Sequence, residues 1–222
     1  MTPVIVVNFK SYEEGTGKRG FGLARICEKV SIDSGVRVII CPPLVHLGQY
    51  ADELSIPVYS QHVDAVGTGG HTGHVTALSV REGGGQGSLI NHSERRMLMA
   101  GIERAIRECK DVGLATIVCT NNVRVSKACA ALSPDYIAIE PPELIGGDIP
   151  VTKAKPGIVG GAVKHIKAVN GDVDVLCGAG IKTGRDVQKA IELGTSGVLV
   201  ASGIVKSRNP EKAMLDLVSG ID

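Results

Sequence analysis

Eight short runs rich in Val, Ile and Leu recur along the chain, at 4–8, 36–41, 57–61, 88–91, 115–120, 136–140, 174–178 and 197–201. Most show no polar alternation. A strand with one solvated face alternates apolar and polar residues, so such runs predict strands covered on both faces, as in a parallel sheet with helices packed on it. Between them, apolar residues at three- and four-residue spacing, such as Phe21, Ala24, Ile26 and Val30, or Met97, Leu98, Ile102, Ala105 and Ile106, predict amphipathic helices. Further helices begin near Val123, Ile158, Gly184 and Pro210, the last with Asn209 as N-cap and proline in its first turn. The connections at 44–53 and 75–82 are short on helical pattern. Eight strand–helix units without a boundary linker predict one α/β domain over residues 1–222, a closed (β/α)8 TIM barrel, with a doubly wound open sheet as the alternative.

Charge and cysteine usage narrow the function. Twenty-four Lys and Arg against 23 Asp and Glu leave a net charge of +1, so no global field draws the chain to nucleic acid or to a membrane. A charged ligand must be met locally. The six cysteines lie far apart with no C-x-x-C pair, which reads as reduced, buried thiols. The first ten residues carry no basic leader, and no apolar stretch approaches the ~18 residues of a membrane span, so the expected address is the cytoplasm. His71 and His74 lack a carboxylate or thiol placed to complete a zinc site, and Gly178 and Gly180 lack the third glycine and the downstream acid of a dinucleotide fingerprint. Neither a metal nor another cofactor is expected.

In a barrel of this kind the active site is built at the C-terminal ends of the strands. Those ends are unusually polar here: Asn8 and Lys10, Gln61, Asn91 and His92, Thr120, Glu140, then the turns 178–180 and 201–203. Five of these stretches, VVNFK at 6–10, NHSERR at 91–96, IEPPELIG at 139–146 and the glycine turns at 178–180 and 201–203, resemble the triosephosphate isomerase family. The resemblance spans the chain, and its motifs fall on the first, fourth, sixth and eighth strand ends in the family's order. The short length and the wording after Glu140 are similar to the compact archaeal branch.

The resemblance implies an intramolecular oxidoreductase that interconverts dihydroxyacetone phosphate and D-glyceraldehyde 3-phosphate through an enediolate, in glycolysis and gluconeogenesis. It implies Glu140 as base, His92 as electrophile and Lys10 as cation. Asn8 and Lys10 would contact substrate, and Ile145, Gly146, Gly178, Gly180, Ala201 and Ser202 would line the phosphate side. It also implies a homo-oligomer, a dimer or a tetramer built from dimers, with the loop at 64–77 interdigitating between subunits. Two departures stand out: the segment after Glu140 has neither the Trp nor the Gly-Thr-Gly ending of the bacterial and eukaryotic lid, and the serine of the turn after the seventh strand is replaced by glycine.

The residue types suit the chemistry. Isomerisation moves a proton between neighbouring carbons, and a carboxylate on a closing loop can take it while water is excluded. Pro141 and Pro142 stiffen the exit from Glu140, and Gly146 and Gly147 supply a hinge. His92 is expected to stand immediately before a helix with Ser93 and Glu94 in its first turn, where the helix end disfavours imidazolium and leaves a neutral donor. Lys10 puts a cation near the enediolate oxygen. The glycine turns let backbone N–H groups approach a phosphate, with Ser202 adding a hydroxyl at a short helix start. The turns alone fit other phosphate-binding barrels, and a scaffold that has lost catalysis is the rival class; neither would keep the trio of Lys10, His92 and Glu140 together.

Overall fold

A computed structural model describes residues 3–141, 156–178 and 180–221. Eight parallel strands run β1 (Val4–Asn8), β2 (Arg37–Cys41), β3 (Tyr59–Ser60), β4 (Gly87–Ile90), β5 (Ala115–Thr120), β6 (Tyr136–Ile139), β7 (Asp174–Gly178) and β8 (Gly197–Val200). Their order in the sheet is β2-β1-β8-β7-β6-β5-β4-β3. The ends of that order meet: the Ile40 N–H donates to the Pro57 carbonyl at 3.1 Å and Ile40 bridges Val58 in parallel. The sheet is therefore a barrel and not an open sheet. β3 is shorter than the run at 57–61 suggested, in part because Pro57 has an acceptor for the ladder and no donor.

The helices are α1 (Gly17–Ser34), α2 (Leu47–Glu53), α3 (Ala77–Glu82), α4 (Met99–Asp111), α5 (Val123–Ala130), α6 (Pro156–Val169), α7 (Gly184–Glu192), α8 (Ser202–Val205) and α9 (Pro210–Val218). The connections that lacked a helical pattern thus hold α2 and α3. Seven and six residues are too few to display a period. Burial of Leu47 and Tyr50 in α2 and of Ala77 and Val80 in α3 fixes them, and Thr76 caps α3 by accepting from the Ser79 N–H. Thr183 and Asp186 form a reciprocal capping box on α7, and Asn209 caps α9 ahead of Pro210 as the sequence suggested. In α4 the buried stripe is Ile102, Ala105, Ile106 and Cys109, whereas Leu98 stands at the N-cap, 84% exposed.

Successive strand residues point to opposite faces. Val4 and Val6, Ile39 and Cys41, Tyr59, Leu89, Ile117 and Cys119, Tyr136 and Ala138, Leu176 and Leu199 meet inside the barrel. Their neighbours, such as Ile5, Val7, Val38, Ile40, Ile137, Ile139, Val175 and Val198, pack outward in one core with the helices. One further inward step toward the C-terminal ends lands on Asn8, Gln61, Asn91, Glu140, Gly178 and Ala201. The pleat itself gathers these residues at one mouth. All six cysteines are free and buried, and no helix among the described residues is long and apolar enough to cross a membrane.

Gly197 is in register with Val4 across the β1–β8 seam, with φ at 145°, and an added Cβ would overlap the Val4 backbone. Gly197→Ala should therefore lose about 3 kcal/mol of stability, from strain and overpacking together. Urea unfolding measures this; a loss below about 0.5 kcal/mol, the scale of an ordinary surface substitution, would mean that the seam yields freely.

Candidate active site

At the end of β1 the chain turns sharply, and Lys10 adopts a left-handed backbone with φ of 50°. That conformation costs a non-glycine residue roughly 1–2 kcal/mol. Two side chains hold it: Asn8 Oδ1 accepts the Lys10 N–H at 2.9 Å, and Gln61 Nε2 donates to the Lys10 carbonyl at 2.9 Å and to the Cys41 carbonyl at 2.9 Å. Gln61 thereby ties together the ends of β1, β2 and β3. The Lys10 side chain, 11% exposed, donates from Nζ to Glu94 Oε1 at 2.8 Å.

The end of β4 is fastened in the same manner. Asn91 has φ of 61°; its Nδ2 donates to the Cys119 carbonyl at 2.9 Å, its Oδ1 accepts the Met97 N–H at 2.9 Å, and its carbonyl accepts Arg96 Nη1 at 3.1 Å. With Met97 drawn back onto Asn91, no helix can start at residue 93. The expected helix end after His92 is instead a turn closed by the Arg95 N–H on the His92 carbonyl at 2.8 Å, and α4 begins only at Met99. The turn nevertheless aims a backbone donor at the ring: the Glu94 N–H reaches His92 Nδ1 at 3.2 Å. With Nδ1 accepting from the backbone, Nε2 is the ring nitrogen left to face the cleft as a donor.

His92 Nε2 lies 3.8 Å from Glu140 Oε2. Glu140 is 6% exposed, its N–H is bonded to the Thr120 carbonyl at 2.8 Å, and its Oε2 has no hydrogen-bond partner. A buried acceptor left unsatisfied costs about 1–3 kcal/mol and calls for an explanation, which a substrate supplies. The neighbourhood registers the carboxylate: burial, and then the Glu140 charge, push the Cys119 thiol well above its ordinary range, and the same two causes raise Cys177. Gly178 stands directly behind Glu140, where a Cβ would come within 2.5 Å of Glu140 Cγ and 3.1 Å of Oε1.

Asn8, Lys10, His92, Glu140, Gly180, Ala201 and Ser202 line one cleft. Gly180 has φ of 76°, and α8 begins at Ser202 with the Ala201 carbonyl accepting the N–H groups of Ile204 and Val205. The first N–H groups of a helix have no partner within it and form a ready anion site. Gly178, expected on the phosphate side, makes room for Glu140 and is not among the residues that line the cleft. Ile145 and Gly146 lie outside the described residues. The same cleft is lined by Tyr12, Ile181, Lys182 and Gly203, which the sequence reading passed over. Tyr12 and Lys182 each stand two residues past a recognised position, and that spacing was the available signal. His71 and His74 approach edge to face at 5.7 Å between ring centres on an exposed loop tip, and no group of three or more His, Cys, Asp or Glu among the described residues could hold a metal ion.

These features define a (β/α)8 barrel whose strand ends gather a buried carboxylate, a histidine and a lysine around one cleft. A family model described as Triosephosphate isomerase matches residues 3–220. The triosephosphate isomerase of Methanocaldococcus jannaschii is 54% identical over 218 residues, covering 98% of this chain and 100% of that protein. That of Methanothermus fervidus is 50% identical over 217 residues, covering 98% of each. A crystal structure of triosephosphate isomerase from Bartonella henselae superposes with a TM-score of 0.74 over 100% of this chain and 98% of that one, at 19% identity, and so bears on the fold alone. The chain belongs to the triosephosphate isomerase family.

The packing of Gly178 against Glu140 gives a sharp expectation. Gly178→Ala should leave the circular dichroism spectrum intact and displace the carboxylate by about 1 Å, lowering kcat about 100-fold. A kcat within twofold of wild type would show that the Glu140 side chain is not held by that contact.

Proposed function

We propose that the chain interconverts dihydroxyacetone phosphate and D-glyceraldehyde 3-phosphate through an enediolate, in glycolysis and gluconeogenesis. The observation that carries this reading is the unpartnered Oε2 of Glu140, buried 3.8 Å from the His92 Nε2–H in the cleft shared with Lys10. Glu140 takes a proton from carbon 1 of the ketose, and the electron pair moves into the carbon 1–carbon 2 bond as the carbonyl pair retreats onto oxygen. His92 donates a hydrogen bond from Nε2 to that oxygen, and the Lys10 ammonium stabilises the negative charge. His92 Nε2 gives its proton to the carbon 2 oxygen and takes up the proton of the carbon 1 hydroxyl, and Glu140 then delivers the carbon-bound proton to carbon 2 as the carbonyl forms at carbon 1. Asn8 contributes by holding the Lys10 backbone. The phosphate rests on the turn at Gly180 and on Ala201, Ser202 and Gly203 at the start of α8, and the family resemblance adds Ile145 and Gly146 to the phosphate side. Gly178 assists by leaving space for the base. The reaction asks for no cofactor.

We also read residues 1–222 as one domain, the address as cytoplasmic and the working protein as a homo-oligomer, a dimer or a tetramer of dimers. The loop at 64–77 supports the assembly. Its stem is fixed by the Asp64 N–H on the Val75 carbonyl at 2.8 Å, the Val75 N–H on Asp64 Oδ2 at 2.7 Å and Arg95 on Asp64 Oδ1 at 3.0 Å, while its tip from 68 to 74 is exposed. Leu44, Gln61, His62, Val75 and Arg95 line a second groove beside the cleft. Val45, in the connection from β2 to α2, and Leu98 and Met99, at the start of α4, are large and exposed at the same mouth. Light scattering at micromolar concentration should report dimers or tetramers, and a monomer alone would remove the assembly from the reading.

The role of Glu140 is tested by kcat and KM of two variants. Glu140→Asp withdraws the carboxylate by roughly 1 Å and should cost on the order of 100-fold, mainly in kcat. Glu140→Gln keeps the shape, removes the base and should abolish solvent-deuterium incorporation into substrate. A folded Gln variant that kept more than about a tenth of wild-type kcat would overturn the assignment.

A further inference from the structure

The turn that presents His92 is held from outside by two ion pairs. Lys10 Nζ donates to Glu94 Oε1 at 2.8 Å, and Arg95 Nη2 donates to Asp64 Oδ1 at 3.0 Å. The first is conditional, because Lys10 is the cation read above as meeting the enediolate, and a bond it gives to the substrate is withdrawn from Glu94. The second involves no group that substrate would touch: Asp64 and Arg95 are not among the residues lining the cleft of Lys10, His92 and Glu140.

Asp64 is itself a fixed post. Its N–H donates to the Val75 carbonyl at 2.8 Å and its Oδ2 accepts the Val75 N–H at 2.7 Å, which pins the base of the loop at 64–77. Oδ1 then faces two side chains, Arg95 and His62, whose Nε2 lies 3.0 Å away. Burial alone would raise this carboxyl, yet the Val75 N–H, His62 and Arg95 outweigh it and hold the group below its ordinary range, so it is an anion at neutral pH. An amide of the same shape has one oxygen in place of two. At the other end of the link, the Arg95 N–H closes the turn on the His92 carbonyl at 2.8 Å, next to the Glu94 N–H that reaches His92 Nδ1 at 3.2 Å. What holds Arg95 therefore holds the donor that aims the ring.

We propose that Asp64 is a positioning residue for the reaction: through Arg95 it fixes the turn at 92–95 and so the direction of the His92 ring. The inference rests on the reading of His92 as the electrophile of a triose phosphate site. Asp64 and Arg95 touch no reacting atom. The Arg95 side chain is 59% exposed, and an ion pair so placed adds little to stability. Its consequence lies in geometry, since a misplacement of about 1 Å can cost on the order of 100-fold in rate. The loss should fall on kcat, because the phosphate is held elsewhere in the cleft.

The test compares wild type with Arg95→Gln and Asp64→Asn, each checked by circular dichroism and light scattering for fold and assembly. With dihydroxyacetone phosphate, each variant should lose about tenfold in kcat, the scale of a sub-ångström shift, with KM within about twofold of wild type. Because the two side chains act as one link, the double variant should be no worse than either single one, and a multiplied loss would overturn the proposal. Should Asp64→Asn disturb the loop, Arg95→Gln, which leaves its base intact, carries the test. In a His92→Gln background, Arg95→Gln should change kcat by less than about twofold, since the group it positions is gone. An equal loss there, as a general weakening of the fold would produce, overturns the proposal, and so does wild-type kcat in folded Arg95→Gln or a loss confined to KM. Nitrogen-15 NMR of the histidine rings reads the link without substrate. The His92 signal, identified by its loss in His92→Gln, should move in Arg95→Gln, and an unmoved signal overturns the link. If wild type failed to isomerise the triose phosphate, the reading of the cleft would fall, whereas a moved His92 signal would still uphold the link from Asp64.

Discussion

Between β2 and β3 the barrel closes on very little backbone: one N–H from Ile40 to the Pro57 carbonyl, and the bridge from Ile40 to Val58. Past Ser60 the β3 ladder has ended, and the Gln61 side chain takes over, donating to the carbonyls of Cys41 and Lys10. A residue of the mouth therefore completes the ring on which the mouth depends. Register is what the ring protects. With Val6 opposite both Ile39 and Leu199, and Ala138 opposite Leu176, the inward sets of β1, β3, β4 and β6 end on Asn8, Gln61, Asn91 and Glu140. A slip of one position would turn Val7 and Ile139 into the cleft and Asn8 and Glu140 into the helical layer, where nothing would compensate their burial.

Strain collects where those strands end. Among the described residues, the non-glycine positions with positive φ are Lys10, Asn91 and Ser133, and the first two belong to the cleft or its immediate support. Each costs on the order of 1–3 kcal/mol and persists only where its surroundings over-determine it. Asn8 and Gln61 do so for Lys10; contacts to Cys119, Arg96 and Met97 do so for Asn91. The reversals carry Lys10 back over the mouth and aim the His92 ring across it, placements that a straight strand exit could not produce.

How much of this was legible in the sequence follows from how local each cause is. Strand runs were readable within a residue or two because burial on both faces writes itself into composition, and β3 departed because Pro57 withholds a donor. The amphipathic helices were readable, whereas α2 and α3 are shorter than the period that would reveal them. Lys10, His92 and Glu140 were readable as strand-end residues, and the structure brings them to one cleft. The support of His92 was not: whether residues 93–96 coil into a helix is decided by Asn91 reaching forward to Met97 and across to Cys119, and no window centred on His92 contains that information. Gly178 was legible as a glycine required by a close approach, but the approaching group, Glu140, comes from a neighbouring strand.

The same non-local logic accounts for the chemistry of the pair that faces across the cleft. His92 Nδ1 is occupied by the Glu94 N–H, which fixes the ring as a donor at Nε2, and the nearest oxygen of Glu140 stands 3.8 Å away, beyond hydrogen-bond length. Were the two groups closer, each would satisfy the other, and a substrate would have to break that bond before either could act. At 3.8 Å the carboxylate oxygen keeps its lone pairs and the imidazole keeps its proton, so both are presented to whatever enters between them. Leaving Oε2 unpartnered costs about 1–3 kcal/mol in a molecule whose total stability is of the order of 5–15 kcal/mol. The barrel tolerates that cost because Gly178, Cys119 and the strand register leave Glu140 nowhere else to go. Preorganisation here is thus a property of packing behind the carboxylate as much as of the groups in front of it.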